Sequence, residues 1–151
     1  MQLRIWLTSL PPDPDAGMRV LSPSDLGGAK ALPGETALPE DAAKWYGTGL
    51  HLLLERLPPL ARADWPAHAQ SLISDPDLAR TLLAEAGKVL DHPALAPLFA
   101  LGTLAEVAVS GDWAGVRLTG SIDRLVVAPD RVLIVDFKSN AVVPDRPELV
   151  P

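Results

Sequence analysis

The sequence predicts an α/β domain in which helices come first and a three-strand meander follows. Two patterns carry that expectation. Between residues 41 and 99 apolar side chains recur at helical spacing, and from Thr103 onward the period becomes two. Size and composition agree: 151 residues, 48% hydrophobic and 21% charged, fit one globular domain with a core of its own.

Residues 1–40 are rich in Pro, Gly and Asp, as in "LPPDPDAG" and "LGGAKALPGETALPED", and read as a linker or loosely packed lead-in. Their one short helical start is "SPSDLGG", where Ser22 can cap and Pro23 occupies the first turn. The domain proper is expected over residues 41–151. "DAAKWYGTGLHLLLERL" places Trp45, Leu50, Leu53, Leu54 and Leu57 on one face of a helix that Pro58-Pro59 ends. A second helix starts at "SDPD", with Asp75 as cap and Pro76 at the first helical position, and carries Leu78, Leu82, Ala86 and Val89 on one face. A short third piece follows Pro93, around Leu95 to Phe99. Then come the strands: "TLAEVAVSG", a turn at "DWAG", "VRLTGSIDRLVVA", a turn at "PDR", and "VLIVDFKS". The tryptophans at 6, 45, 65 and 113 read as packing residues, with Trp113 in the first turn.

Composition narrows the chemistry. With no cysteine, disulfides, thiolate metal sites and cysteine-held iron–sulfur clusters are excluded. The apolar runs are too short for a membrane span, and "MQLRIWLTSLPPDPD" does not read as a signal peptide, so a cytoplasmic protein is expected. A net charge of −6 argues mildly against nucleic acid, although a metal site is itself acidic and neighbouring domains can supply basic surface.

The chemistry-bearing residues gather around the strands. Alternation puts Val132, Ile134, Asp136 and Lys138 on one face of a strand expected to be buried. A hairpin turning near Pro129-Asp130 would set Asp123 beside Asp136, close enough to share a cation, although the pattern alone does not fix the register. Glu106 offers a third carboxylate and His51 an imidazole. Hard divalent cations take oxygen ligands, lower the pKa of bound water and neutralise phosphate charge, while a neighbouring ammonium stabilises the transition state. Taken singly, each residue has a plainer reading. Asp-x-Lys is an ion pair at a strand end, His51 a core histidine, Asp123 a turn contact and Glu106 part of a solvent face. Arg117, Arg124 and Arg131 serve equally as phosphate contacts or as solubilising surface.

"GSIDRL" followed by "LIVDFKSN" resembles the active-site strands of the PD-(D/E)xK nuclease superfamily, and "YGTGLH", with its Gly47-to-His51 spacing, is similar to the RecB-like branch. With "LSPSDLGG" and "GTGLHLLLERLP" added, the likeness is to the C-terminal nuclease domains of AddA-type helicase–nuclease subunits, over roughly residues 20–148. The resemblance implies a restriction-endonuclease-like core and a metal-dependent DNA exonuclease acting in double-strand break repair and recombination. It implies His51, Asp123, Asp136 and the Phe137 carbonyl as metal ligands, Lys138 as the catalytic lysine, and Glu106 as an acidic position on the first core strand. The cofactor would be Mg2+, with Mn2+ or Ca2+ able to occupy the site. The partners would be DNA, an AddB-type subunit and a helicase motor of the same longer chain. Two departures stand out: the family's following helix with its Gln/Tyr motif is expected to be missing, and no GxxxxGK[ST] occurs. The rival expectation is an inactive nuclease fold that holds DNA or docks a subunit.

Overall fold

The computed structural model describes residues 19–22, 25 and 40–139. Its elements in chain order are β1 (Arg19–Leu21), α1 (Glu40–Arg56), a 3-10 turn (Arg62–Asp64), α2 (Trp65–Leu72), α3 (Pro76–Leu90), a 3-10 segment (Pro93–Phe99), β2 (Leu104–Trp113), β3 (Val116–Val127) and β4 (Val132–Val135). Trp6 and the segment after Ser139 lie outside the described residues. No described helix is long and apolar enough to cross a membrane.

The core is helical. Leu53, Leu54 and Leu57 of α1 meet Trp65 and Ala69 of α2, Ile73, and Ala79, Leu82 and Ala86 of α3, with Phe99 and Phe137 packed against the cluster. Asp75 caps α3 as expected: its Oδ1 accepts from the Asp77 and Leu78 amides at 2.9 and 3.1 Å. Helix α2 was not anticipated; "WPAHAQSL" is short and only Trp65 and Ala69 of it are buried, so its apolar periodicity is weak. Trp45 corrects the expected α1 stripe. It is 72% exposed, because the buried face runs through Tyr46, Leu50, Leu53, Leu54 and Leu57, one residue further round the helix.

The sheet has four strands, with β3 at its centre. β2 pairs antiparallel along one edge of β3, while β1 (parallel) and β4 (antiparallel) share the other. Strand β1 lies within the stretch read as lead-in, and its three residues are too few to show an alternating pattern. Of the helical start after it, only Ser22 and Asp25 are described. The Ser22 amide and hydroxyl donate to Asp25 Oδ2 at 2.9 and 2.7 Å, and the Asp25 amide donates to the Ser22 carbonyl at 2.9 Å.

The turns refine the sequence reading. β2 runs on through Trp113, and the reversal occupies only Ala114 and Gly115, with φ of 49° and 77°. Two consecutive positive φ values match the twist of a two-residue hairpin. Trp113 is therefore a strand residue, and it is exposed. The second reversal falls at Pro129-Asp130 as expected, closed by the Ala128 amide donating to the Arg131 carbonyl at 2.9 Å. β4 is shorter and barer than predicted. It ends at Val135, and Val132 and Ile134 are 60% and 62% exposed, because no described element packs over that face.

Candidate metal centre

Strand register brings Glu106 and Asp123 together. The β2–β3 ladder keeps one register on both sides of Glu106, with Ala105 opposite Arg124 and Val107 opposite Ile122, which sets Glu106 across from Asp123. Opposed residues of antiparallel strands project to the same face, so the two carboxylates converge. Glu106 itself has φ of 48°, in the left-handed region that non-glycine residues rarely adopt. Such a conformation costs on the order of 1–3 kcal/mol and persists where its surroundings enforce it. The Ser121 hydroxyl donates to Glu106 Oε2 at 3.1 Å.

His51 comes from the middle of α1, with its Nδ1 3.6 Å from Asp123 Oδ2. One donor atom from each of His51, Glu106 and Asp123 lies within 4.8 Å of the other two. These three side chains line an open cleft of about 380 Å3 with Gly47, Thr48, Leu52 and Glu55. One imidazole nitrogen and two carboxylates fit a divalent cation, with room left for water or a phosphate oxygen. Two carboxylates this close repel each other, and a cation between them removes that repulsion.

The end of β4 is tied to this group through Asp123. Extending the β3–β4 register one step past Arg124 opposite Val135 would put Asp123 opposite Asp136. The ladder instead stops there, because Asp123 Oδ2 accepts the Phe137 amide at 2.6 Å. That bond fixes the Asp123 carboxylate. It also places the Phe137 ring edge-on to His51, with centroids 6.1 Å apart and planes at 89°. Asp136 is not among the residues whose donor atoms cluster. It pairs with Lys138, Oδ2 to Nζ at 2.8 Å, with side chains 59% and 48% exposed. The structure thus brings His51, Glu106 and Asp123 together, joins them to Phe137, and leaves Asp136 and Lys138 as a pair next along the chain.

One neighbour takes a role that neither sequence expectation gave it. Arg124 is only 4% exposed, so it is neither a surface phosphate contact nor a solubilising charge. Its Nη2 donates to the Leu54 carbonyl at 2.6 Å. In an unbroken helix that carbonyl would accept from residue 58, but Pro58 has no N–H. Pro58 was therefore the available signal: it orphans a carbonyl near a buried helix end, and such a group demands a donor. Burial pulls the guanidinium pKa below its ordinary value, and the charges of Glu55 and Glu106 oppose that shift. Arg117, by contrast, pairs with Asp112 across the hairpin, Nε to Oδ1 at 2.7 Å, while Arg131 is exposed.

Gly47, already marked by its spacing to His51, also meets Ser139. A Cβ on Gly47 would lie 2.8 Å from the Ser139 hydroxyl, so the missing side chain lets the segment after Lys138 approach α1 closely.

The model of one family, the PD-(D/E)XK nuclease superfamily, matches residues 26–150. No curated protein and no solved structure matches the chain. Helices followed by a mixed four-stranded sheet are consistent with a restriction-endonuclease-like fold. With the family match running over most of its length, the chain belongs to the PD-(D/E)XK nuclease superfamily.

Proposed function

We propose that the protein is a metal-dependent deoxyribonuclease domain of the RecB-like type, working within an AddAB-type helicase–nuclease in double-strand break repair and recombination. The observation that carries the nuclease reading is the convergence of His51, Glu106 and Asp123 on one cleft in a chain of this superfamily. The finer assignment rests on the wording of "GTGLHLLLERLP", "GSIDRLVV" and "VDFKSN". On this reading the chain is cytoplasmic, an attached helicase motor delivers the DNA strand, and an AddB-type subunit completes the assembly. Those partners would supply the basic surface that a net charge of −6 does not.

In this scheme His51, Glu106 and Asp123 would hold the ion, and the family resemblance adds the Phe137 carbonyl and Asp136, which would have to turn from Lys138 toward the cleft. Mg2+ is the assigned ion, and Mn2+ or Ca2+ can take its place. When bound, a divalent ion polarises a phosphoryl oxygen and acidifies a water. The Phe137 amide donates to the same Asp123 oxygen that faces His51, and so would hold that carboxylate in the cleft. Lys138 holds the attacking water and offsets the negative charge that develops on the phosphate. Asp136, at 2.8 Å, keeps that ammonium at the strand end until substrate arrives.

The test is hydrolysis of linear DNA with Mg2+ by the wild type and by Asp123→Ala and Lys138→Ala. Each variant should lose about 100-fold or more, the scale for removing one group that stabilises developing charge. Wild-type rates in both variants would sink the assignment. The alternative is an inactive nuclease fold that holds DNA or docks a subunit, and the exposed Asp136–Lys138 pairing favours it. It predicts DNA retention that is indifferent to metal and to Lys138→Ala.

A further inference from the structure

The candidate centre is braced by ring contacts as well as by hydrogen bonds. Beyond the edge-on contact of His51 and Phe137, the Phe137 ring lies parallel to Phe99, with centroids 6.1 Å apart and planes at 8°. The Arg124 guanidinium carbon sits 4.9 Å from the centre of the Phe99 ring. Phe99 ends the 3-10 segment Pro93–Phe99, an element that carries none of the clustered donors. Both its neighbours are tied to them. The Phe137 amide donates to Asp123, and Arg124 follows Asp123 in the chain while holding Leu54, three residues beyond His51 on α1.

We infer that Phe99 is a positioning residue for the proposed metal centre. Its ring holds Phe137 in place, and through Phe137 it sets the His51 imidazole and the Asp123 carboxylate relative to each other. The inference rests on reading the cleft as a metal site. An aliphatic side chain at residue 99 could fill the volume. It would offer no π face to the guanidinium and no flat surface to Phe137. Phe137 could then rotate, the edge contact that restrains His51 would loosen, and the amide that orients Asp123 would shift. A ligand set displaced by about half an ångström binds its ion less well, because the binding energy must first restore the geometry.

The test uses the full chain as wild type, Phe99→Leu and Phe99→Tyr, with circular dichroism to establish folding. Mn2+ is titrated with paramagnetic resonance of the free ion, and the His51 ring signals are followed in 1H–13C spectra at fixed pH without metal. Phe99→Leu should bind Mn2+ about three- to tenfold more weakly and show displaced His51 signals, while Phe99→Tyr should restore both. Should Phe99→Leu unfold, Phe99→Met takes its place with the same expectations. Unmoved His51 signals in the folded aliphatic variant overturn the positioning role. Failure of the wild type to bind Mn2+ overturns the metal reading instead, and the metal-free spectra still decide the role of Phe99.

Discussion

The Arg124 guanidinium donates to the Leu54 carbonyl at 2.6 Å, replacing the amide that Pro58 lacks. One buried cation thereby closes the end of α1 and ties it to β3, the two elements that supply His51 and Asp123. The position also suits a cation, since the carbonyl end of a helix is negative.

Arg124→Met should therefore destabilise the fold by about 1.5–3 kcal/mol, the worth of a hydrogen bond to a charged donor. Arg124→Lys should recover little of it, because an ammonium lacks the planar fork that reaches the carbonyl while stacking on Phe99. Urea denaturation of the three proteins measures both effects. Equal midpoints would mean that the Leu54 carbonyl finds another donor.

Glu106 combines a φ of 48° with a carboxylate in the cleft. Glu106→Asn, a residue that tolerates positive φ, should leave the melting temperature unchanged or raise it by a degree or two, while weakening divalent-ion binding. Thermal melts with and without Mn2+ separate the two outcomes. A stability loss with unchanged ion-induced stabilisation would place Glu106 among purely structural residues.

The two helical glycines of α1 should respond in opposite directions. Alanine gains about 0.5–1 kcal/mol over glycine in a helix interior. At Gly49 the new Cβ would meet Leu82 Cδ1 at 2.6 Å, and Leu82 is fully buried, so Gly49→Ala should be net destabilising by about 1–2 kcal/mol. At Gly47 the obstacle is the Ser139 hydroxyl, which can rotate, so Gly47→Ala should be neutral or slightly stabilising. Chemical denaturation of both variants checks the contrast, and matching losses would contradict it.

Hydrogen bonding to Arg117 holds the Asp112 carboxyl below its ordinary 3.8. A carboxylate whose pKa is lower in the folded chain adds stability above the unfolded value and loses it as pH falls through the folded one. Asp112 is more than half exposed, so solvent screening keeps the contribution small. Asp112→Asn should still flatten the acid limb of the stability curve below about pH 4 relative to wild type, and leave its slope near neutrality unchanged. Parallel acid limbs in thermal melts would show that the pair is silent.

Much of the fold was legible because local chemistry and tertiary structure agree. Asp75-Pro76 announces a helix start, Pro58-Pro59 a helix end, and the alternation from Thr103 a sheet. The unread parts depend on partners distant in sequence. Arg19–Leu21 becomes a strand only by pairing with Val116–Leu118. Trp45 sits one residue off the buried stripe of α1, a shift that apolarity alone does not resolve. At the site, the residue types around Asp123 were readable, but which carboxylate stands beside it was not. That depends on the β2–β3 register, which places Glu106 there, and on the Phe137 amide, which ends β4 before Asp136. Arg124 was legible in principle, since a proline four residues after Leu54 leaves a carbonyl without its usual donor.

Anomalous diffraction from crystals grown with Mn2+ would locate the ion. A single strong peak within bonding distance of His51, Glu106 and Asp123 is the predicted result. A map with no peak in that cleft, or with one coordinated elsewhere on the chain, would contradict it.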